Sequence, residues 1–221
     1  MKKIITLLAL VLPLSTATVM AQGLFSKKEY DGGRQDRSVY MQGAVPEFNG
    51  KVVFNKHIEA TGKSKGDLYK KMLQWASFRF NPETEYGKWP NADYFKNTEY
   101  ARVLKAEAEN GLLKIQGNED MIFTNKALAK DMAIASYILT LNCTDGGIDV
   151  EMSNISYTYS LSDTPERIEA EDWITDKEAF NKKGQLSKGS GKFRVKTIDL
   201  KDRLFEEIEA AAKQNLYQLN Q

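Results

Sequence analysis

Cysteine and histidine are each present once in this 221-residue chain, as Cys143 and His57. One cysteine cannot close an internal disulfide, so the fold must stand on its hydrophobic core. One histidine, with no second His and no Cys near it in sequence, gives zinc little support. A Ser-His-Asp arrangement would have to use His57, and no G-x-S-x-G elbow accompanies it. No cofactor is expected. An excess of one charge is also missing: 31 Lys and Arg face 30 Asp and Glu, for a formal net charge of +1. Nucleic-acid binding relies on surplus basic side chains to neutralise phosphates, so no nucleic-acid partner is expected. Finally, the N-terminal apolar run, Ile4–Leu14, is too short to span a bilayer as a helix. An integral membrane protein is therefore not expected.

What is present begins with an address. In "MKKIITLLALVLPLSTATVMAQG", Lys2 and Lys3 form a positive start, Ile4–Leu14 an apolar centre, and Val19 and Ala21 a small-residue cleavage site. This reads as a secretory signal over residues 1–21, cut between Ala21 and Gln22. A lipoprotein would need a Cys right after the cut, and Cys143 is far away. The mature chain should be periplasmic or extracellular. Losing Lys2 and Lys3 takes the formal charge from +1 to −1. With 42% hydrophobic and 28% charged residues the chain is globular in composition. About two hundred mature residues suffice for one core.

Residues 22–44 are polar and glycine-bearing without a sustained period, and read as a loose N-terminal arm. One domain is expected over 45–217. "KVVFNKHIEAT" alternates, with Val52, Phe54 and Ile58 on one face and Val53, Asn55, His57 and Glu59 on the other, which predicts a half-buried strand. "SKGDLYKKMLQWASFRF" predicts an amphipathic helix with Ser64 as N-cap and Asn81-Pro82 as its end. Two hairpins follow. Asn110-Gly111 suggests a type I′ turn that pairs Glu109 with Leu112, Ala108 with Leu113 and Ala106 with Ile115. Asp145-Gly146 pairs Cys143 with Ile148, Leu141 with Val150 and Leu139 with Met152. Past Met152 the apolar phase slips to Ile155, Tyr157 and Tyr159, and a bulge at Ser153-Asn154 restores it. "DLKDRLFEEIEAAAKQNL" closes the chain as a long amphipathic helix.

Three blocks, "GKSKGDLYKKMLQW", "YILTLNCTDGGIDVEMSNISYTY" and "DKEAFNKKGQLSKGSGKFRVKTIDLKDRLFEEI", resemble the exported bacterial proteins grouped as domain of unknown function 4468. The resemblance implies a TBP-like α+β fold, β-α-β4-α, with two main helices packed on one face of a curved antiparallel sheet. The element order read from periodicity is the same. The family offers no established activity and no catalytic residues to carry over. "NPETEYGKWPNADYFKNTEY" is longer and more aromatic than the family pattern.

Two stretches are candidate binding elements. "NKKGQLSKGSGKFRVKT", residues 181–197, carries six cations, three glycines and no acid. A P-loop would need Gly at 186 and Ser or Thr at 193, where Leu186 and Phe193 stand. The stretch reads instead as a helix end at Gly184 after Thr175 and Glu178 at capping-box spacing, a flexible "SKGSG" turn, and a strand. In that strand Phe193 and Val195 face inward and Lys192, Arg194 and Lys196 outward. The outward row meets either an anionic partner or the acidic run Asp163, Glu166, Glu169, Glu171 and Asp172. The second stretch is the aromatic loop 82–99, where Trp89, Tyr94 and Phe95 either grip a ligand or close one end of the core. Trp173 poses the same choice. Cys143 falls on an apolar face and reads as a small hydrophobe. The sequence thus suggests a non-enzymatic binding or scaffold protein of the Gram-negative cell envelope, with an envelope protein, glycan or anionic lipid as partner. A secreted hydrolase without a motif and a carrier of lipid or another apolar ligand are the alternatives.

Overall fold

In the computed structural model the described residues are 32–80, 101–126, 129–160 and 164–213. A small hairpin, β1 (Glu47–Phe48) and β2 (Lys51–Val52), leads into β3 (Phe54–Glu59) and α1 (Lys65–Arg79). Then come four antiparallel strands, β4 (Ala101–Glu107), β5 (Leu112–Lys126), β6 (Ala129–Thr144) and β7 (Gly147–Ser160). A short β8 (Pro165–Glu169), a one-turn α2 (Asp176–Ala179) and α3 (Ser190–Lys213) complete the chain. The sheet order is β3-β7-β6-β5-β4. β7 shares its outer edge between β3, along Gly147–Met152, and β8, along Ser156–Ser160.

The fold is the expected TBP-like α+β arrangement. α1 packs on β5, β6 and β7, and α3 on α1, β3 and β5, so both helices cover one face. Alternation along the strands decides which face. Leu113, Ile115, Ala135, Tyr137, Leu139, Leu141, Ile148, Val150 and Met152 are all buried against the helices. Ser64 caps α1: its carbonyl accepts Leu68 N–H at 3.0 Å and its hydroxyl accepts Asp67 N–H at 3.2 Å. The β6–β7 register pairs Cys143 with Ile148, Leu141 with Val150 and Leu139 with Met152. The bulge is present too. Ile138 pairs with Ser153 and Ser136 with Ser156, so β7 carries one extra residue, and Asn154 adopts φ 51°. Ile155 and Tyr157 thereby return to the core.

Three expectations are corrected. Asn110-Gly111 is not a two-residue turn; Glu107 pairs with Leu112 and Ala106 with Leu113 across a four-residue loop. Gly111, at φ 69°, offers its carbonyl to Cys143 N–H at 2.8 Å, an approach that an added Cβ would block. The turn with two left-handed residues is Asn49-Gly50, at φ 51° and 72°, between β1 and β2. Residues 32–44 are not loose: Tyr40 is fully buried, and its hydroxyl donates to Asp199 at 2.7 Å. The predicted strand over 192–196 is the first two turns of α3, which begins at Ser190. The acidic stretch before Trp173 supplies β8, which pairs with β7.

Cys143 lies 1% exposed, and burial pushes its thiol up to about 11. A raised thiol is protonated at neutral pH and the thiolate is the reacting form. Native protein should therefore react with an aromatic disulfide reagent orders of magnitude more slowly than protein in denaturant. Stoichiometric labelling within the mixing time would contradict this burial.

Candidate functional site

With the helices on one face, the other face of the sheet is left open among the described residues except at its bulge end, where Lys51 and Glu171 border it and Ser156 is buried. Strand pairing arranges its side chains in rows. His57, Asp149, Asn142, Leu112 and Glu107 form one, and Asn55, Glu151, Thr140, Lys114 and Lys105 the next. Further along come Ser153, Ile138 and Gln116, then Glu169, Ser156, Ser136 and Asn118. Acids and bases both occur across these rows, so the face carries no field of one sign.

Two grooves mark this face. The first, of about 480 Å³, is lined by Asn55, His57, Thr140, Asn142, Asp149 and Glu151. Its His57 Nδ1 lies 2.6 Å from Asp149 Oδ1, with both side chains more than half exposed. The second, of about 310 Å³, lies at the bulge and is lined by Lys51, Gln116, Ile138, Asn154, Arg167 and Glu171, with Ser136, Ser156 and Glu169. Its charges are paired: Arg167 with Glu169 at 2.7 Å and Lys51 with Glu171 at 3.8 Å. No group of three or more potential metal ligands occurs among the described residues.

The basic side chains of "KFRVKT" point elsewhere. Arg194 is fully buried; it donates to the carbonyls of Tyr40 (2.7 Å), Met41 and Ile174 (2.8 Å) and pairs with Asp176 at 2.7 Å. Lys192 is 8% exposed and donates to Asp131 at 2.7 Å and Tyr159 at 2.8 Å, beneath the Phe123 ring. Burial lowers its ammonium pKa, against the pull of Asp131. Lys196 is half-buried on α3. Neither Lys192 nor Arg194 forms part of an exposed row, because a helix, unlike a strand, carries them into the interior. Their acids are Asp131 and Asp176, outside the run first named for them. Trp173 is half-buried, edge-on to Phe193 at 6.0 Å. Trp89, Tyr94 and Phe95 lie outside the described residues.

A second buried polar cluster joins the two helices to the sheet. Glu119, 8% exposed on β5, accepts from Arg79 of α1, Arg203 of α3 and the Tyr137 hydroxyl. Arg79 also donates to Glu207 at 2.9 Å, whose carboxyl burial pushes above the usual range. Tyr137 reaches Glu119 across Gly117, where a Cβ would stand 2.5 Å from its ring.

A family model described as "Domain of unknown function (DUF4468) with TBP-like fold" matches residues 54–158. The crystal structure of a DUF4468 family protein from Bacteroides ovatus ATCC 8483 is 31% identical, covering 82% of this chain and 98% of that one, at a TM-score of 0.68. The chain belongs to the DUF4468 family. A TBP-like protein from Parabacteroides distasonis ATCC 8503 shares the fold at 22% identity and a TM-score of 0.59, over 76% of this chain and 96% of that one. No curated protein matches.

DUF4468 membership gives the fold and no chemistry, so the site must be argued from its geometry. Of the residues in the bulge groove, the sequence marked Asn154, at the slip of apolar phase, and Glu169 and Glu171, as part of the acidic run. Gln116, Lys51 and Arg167 reach it through pairings of β5, the β1–β2 hairpin and β8 that no local pattern announces. Among the described residues no helix is long and apolar enough to cross a membrane.

Proposed function

We propose that this DUF4468 protein is an exported, non-enzymatic binding or scaffold protein of the Gram-negative cell envelope, and that its partner docks on the open face of the sheet. One observation carries the reading: the two long helices cover one face only, and the other presents ordered rows of polar side chains on rigid strands. Rigid strands hold contact residues more firmly than loops do. Lys2 and Lys3, the apolar run Ile4–Leu14 and the Val19–Ala21 cleavage pattern support export. The carrier reading is disfavoured because Leu68, Met72, Ile115, Leu139 and Phe193 fill the layer between helices and sheet. The hydrolase reading rests on the His57–Asp149 pair, which is open to water and so lacks the dry setting that strengthens catalytic electrostatics.

Cell fractionation with N-terminal sequencing should find the mature chain in the periplasm or medium, starting at Gln22. An uncleaved chain in the cytoplasm would refute the export half. Thr140 sits centrally on the open face, so Thr140→Arg should abolish the specific crosslinks formed in envelope extract while the melting temperature stays within a few degrees. Crosslinks unchanged in this variant would place the partner elsewhere.

A further inference from the structure

We infer that the groove at the β7 bulge is a binding site for a neutral sugar residue of an envelope glycan. The inference rests on the open face being the binding surface and names what one part of it holds. At about 310 Å³ the groove lies at the small end of ligand sites, suited to a single ring. Its lining decides the class. Gln116 and Asn154 bring planar amides that donate and accept, Ser136 brings a hydroxyl, and Ile138 brings an apolar surface. A sugar ring matches this mixture, because its hydroxyls both donate and accept while its C–H faces are apolar. An anion fits less well, since Arg167 and Lys51 are already paired with Glu169 and Glu171. A wholly apolar ligand would strand the amides without partners.

An independent observation points to the same spot. Asn154 holds φ 51°, a left-handed conformation that asparagine adopts more readily than other side chains but glycine more readily still, at the extra residue of the bulge. Bulges re-aim side chains, and this one brings an exposed amide to the wall of the groove. The fold needs the bulge to return Ile155 and Tyr157 to the core, but it does not need asparagine there. Glycine would fill the position with less strain.

That difference supplies the test. Isothermal titration of the mature chain would use maltotriose, mannotriose and diacetylchitobiose as neutral probes and trigalacturonate as the acidic one. At least one neutral probe should bind with Kd of about a millimolar or tighter. Asn154→Gly should weaken that binding about fivefold or more while leaving Tm unchanged or raised, and Gln116→Ala should weaken it similarly. The inference is overturned if no neutral probe binds below about 10 mM. It is overturned equally if binding survives both substitutions, or if only trigalacturonate binds and only Arg167→Gln abolishes it. Loss of the sugar result with Thr140-sensitive crosslinking intact would sink the groove alone and leave the open face standing.

Discussion

Replacing Arg194 with methionine should destabilise the protein by about 3–5 kcal/mol in urea denaturation. The side chain is fully buried, and its guanidinium fork holds three carbonyls from two distant segments, Tyr40 and Met41 on one side and Ile174 on the other. Asp176 completes the shell and also accepts Gly43 N–H at 2.7 Å. Methionine fills much of the volume but leaves the carbonyls and one carboxylate without their donor, and buried unpaired acceptors each cost about 1–3 kcal/mol. Lysine should rescue only part of the loss, because a point charge cannot reach three carbonyls at once. The damage should also be local. Residues 32–46 are tied to α3 through Arg194, Tyr40 and the Arg34 pairs with Asp199 and Asp202, so limited proteolysis should cut this segment first in the variant. By contrast, Lys196→Gln on the same helix should change stability by less than about 0.5 kcal/mol. An Arg194→Met protein within about 1 kcal/mol of the parent would show that the N-terminal segment is not held as described.

Arg194 also shows where sequence reading stops. In "KFRVKT" polar and apolar residues alternate, which is the signature of a half-buried strand. The alternation is coincidental, because Lys192 and Arg194 are buried together with Phe193 and Val195. Their partners, Asp131, Tyr40 and Ile174, are remote in sequence, so nothing local distinguishes a buried, satisfied cation from a solvated one. From Thr197 to Ala212 the stripe of Leu200, Leu204 and Ile208 keeps helical spacing, and the helix is plain. The β6–β7 hairpin was readable to the residue, since a short turn, two alternating strands and a phase slip constrain one another. The first hairpin was not, because Gly111 serves the neighbouring strand through Cys143 as well as its own turn. As for the groove, its bulge is visible in the sequence and its walls are not. They come from β8 and from a two-residue hairpin arm, and tertiary pairing places both.

Glu119→Ala should cost about 3–5 kcal/mol, the other large effect expected for this protein. Glu119 stands on the core face of β5, where its neighbours along the strand, Ile115 and Met121, are apolar. A carboxylate there is tolerable only because Arg79, Arg203 and Tyr137 all donate to it. Alanine would take the shared acceptor from both guanidinium groups and from the Tyr137 hydroxyl, in a site already dry enough to push the Glu207 carboxyl upward. Glutamine keeps the size and loses the charge, so it should fall between alanine and the parent. The informative variant is the triple Glu119→Leu, Arg79→Met, Arg203→Met. Buried ion clusters cost desolvation, and well-packed apolar replacements are often neutral or better, so the triple should recover most of the loss seen in Glu119→Ala. The cluster would then act chiefly as a latch that fixes how α1 and α3 sit on β5. Urea midpoints of the three variants decide the matter. A Glu119→Ala penalty below about 1 kcal/mol would mean that water already serves these charges, and a triple variant no better than the single would mean that the charges themselves stabilise the helix layer.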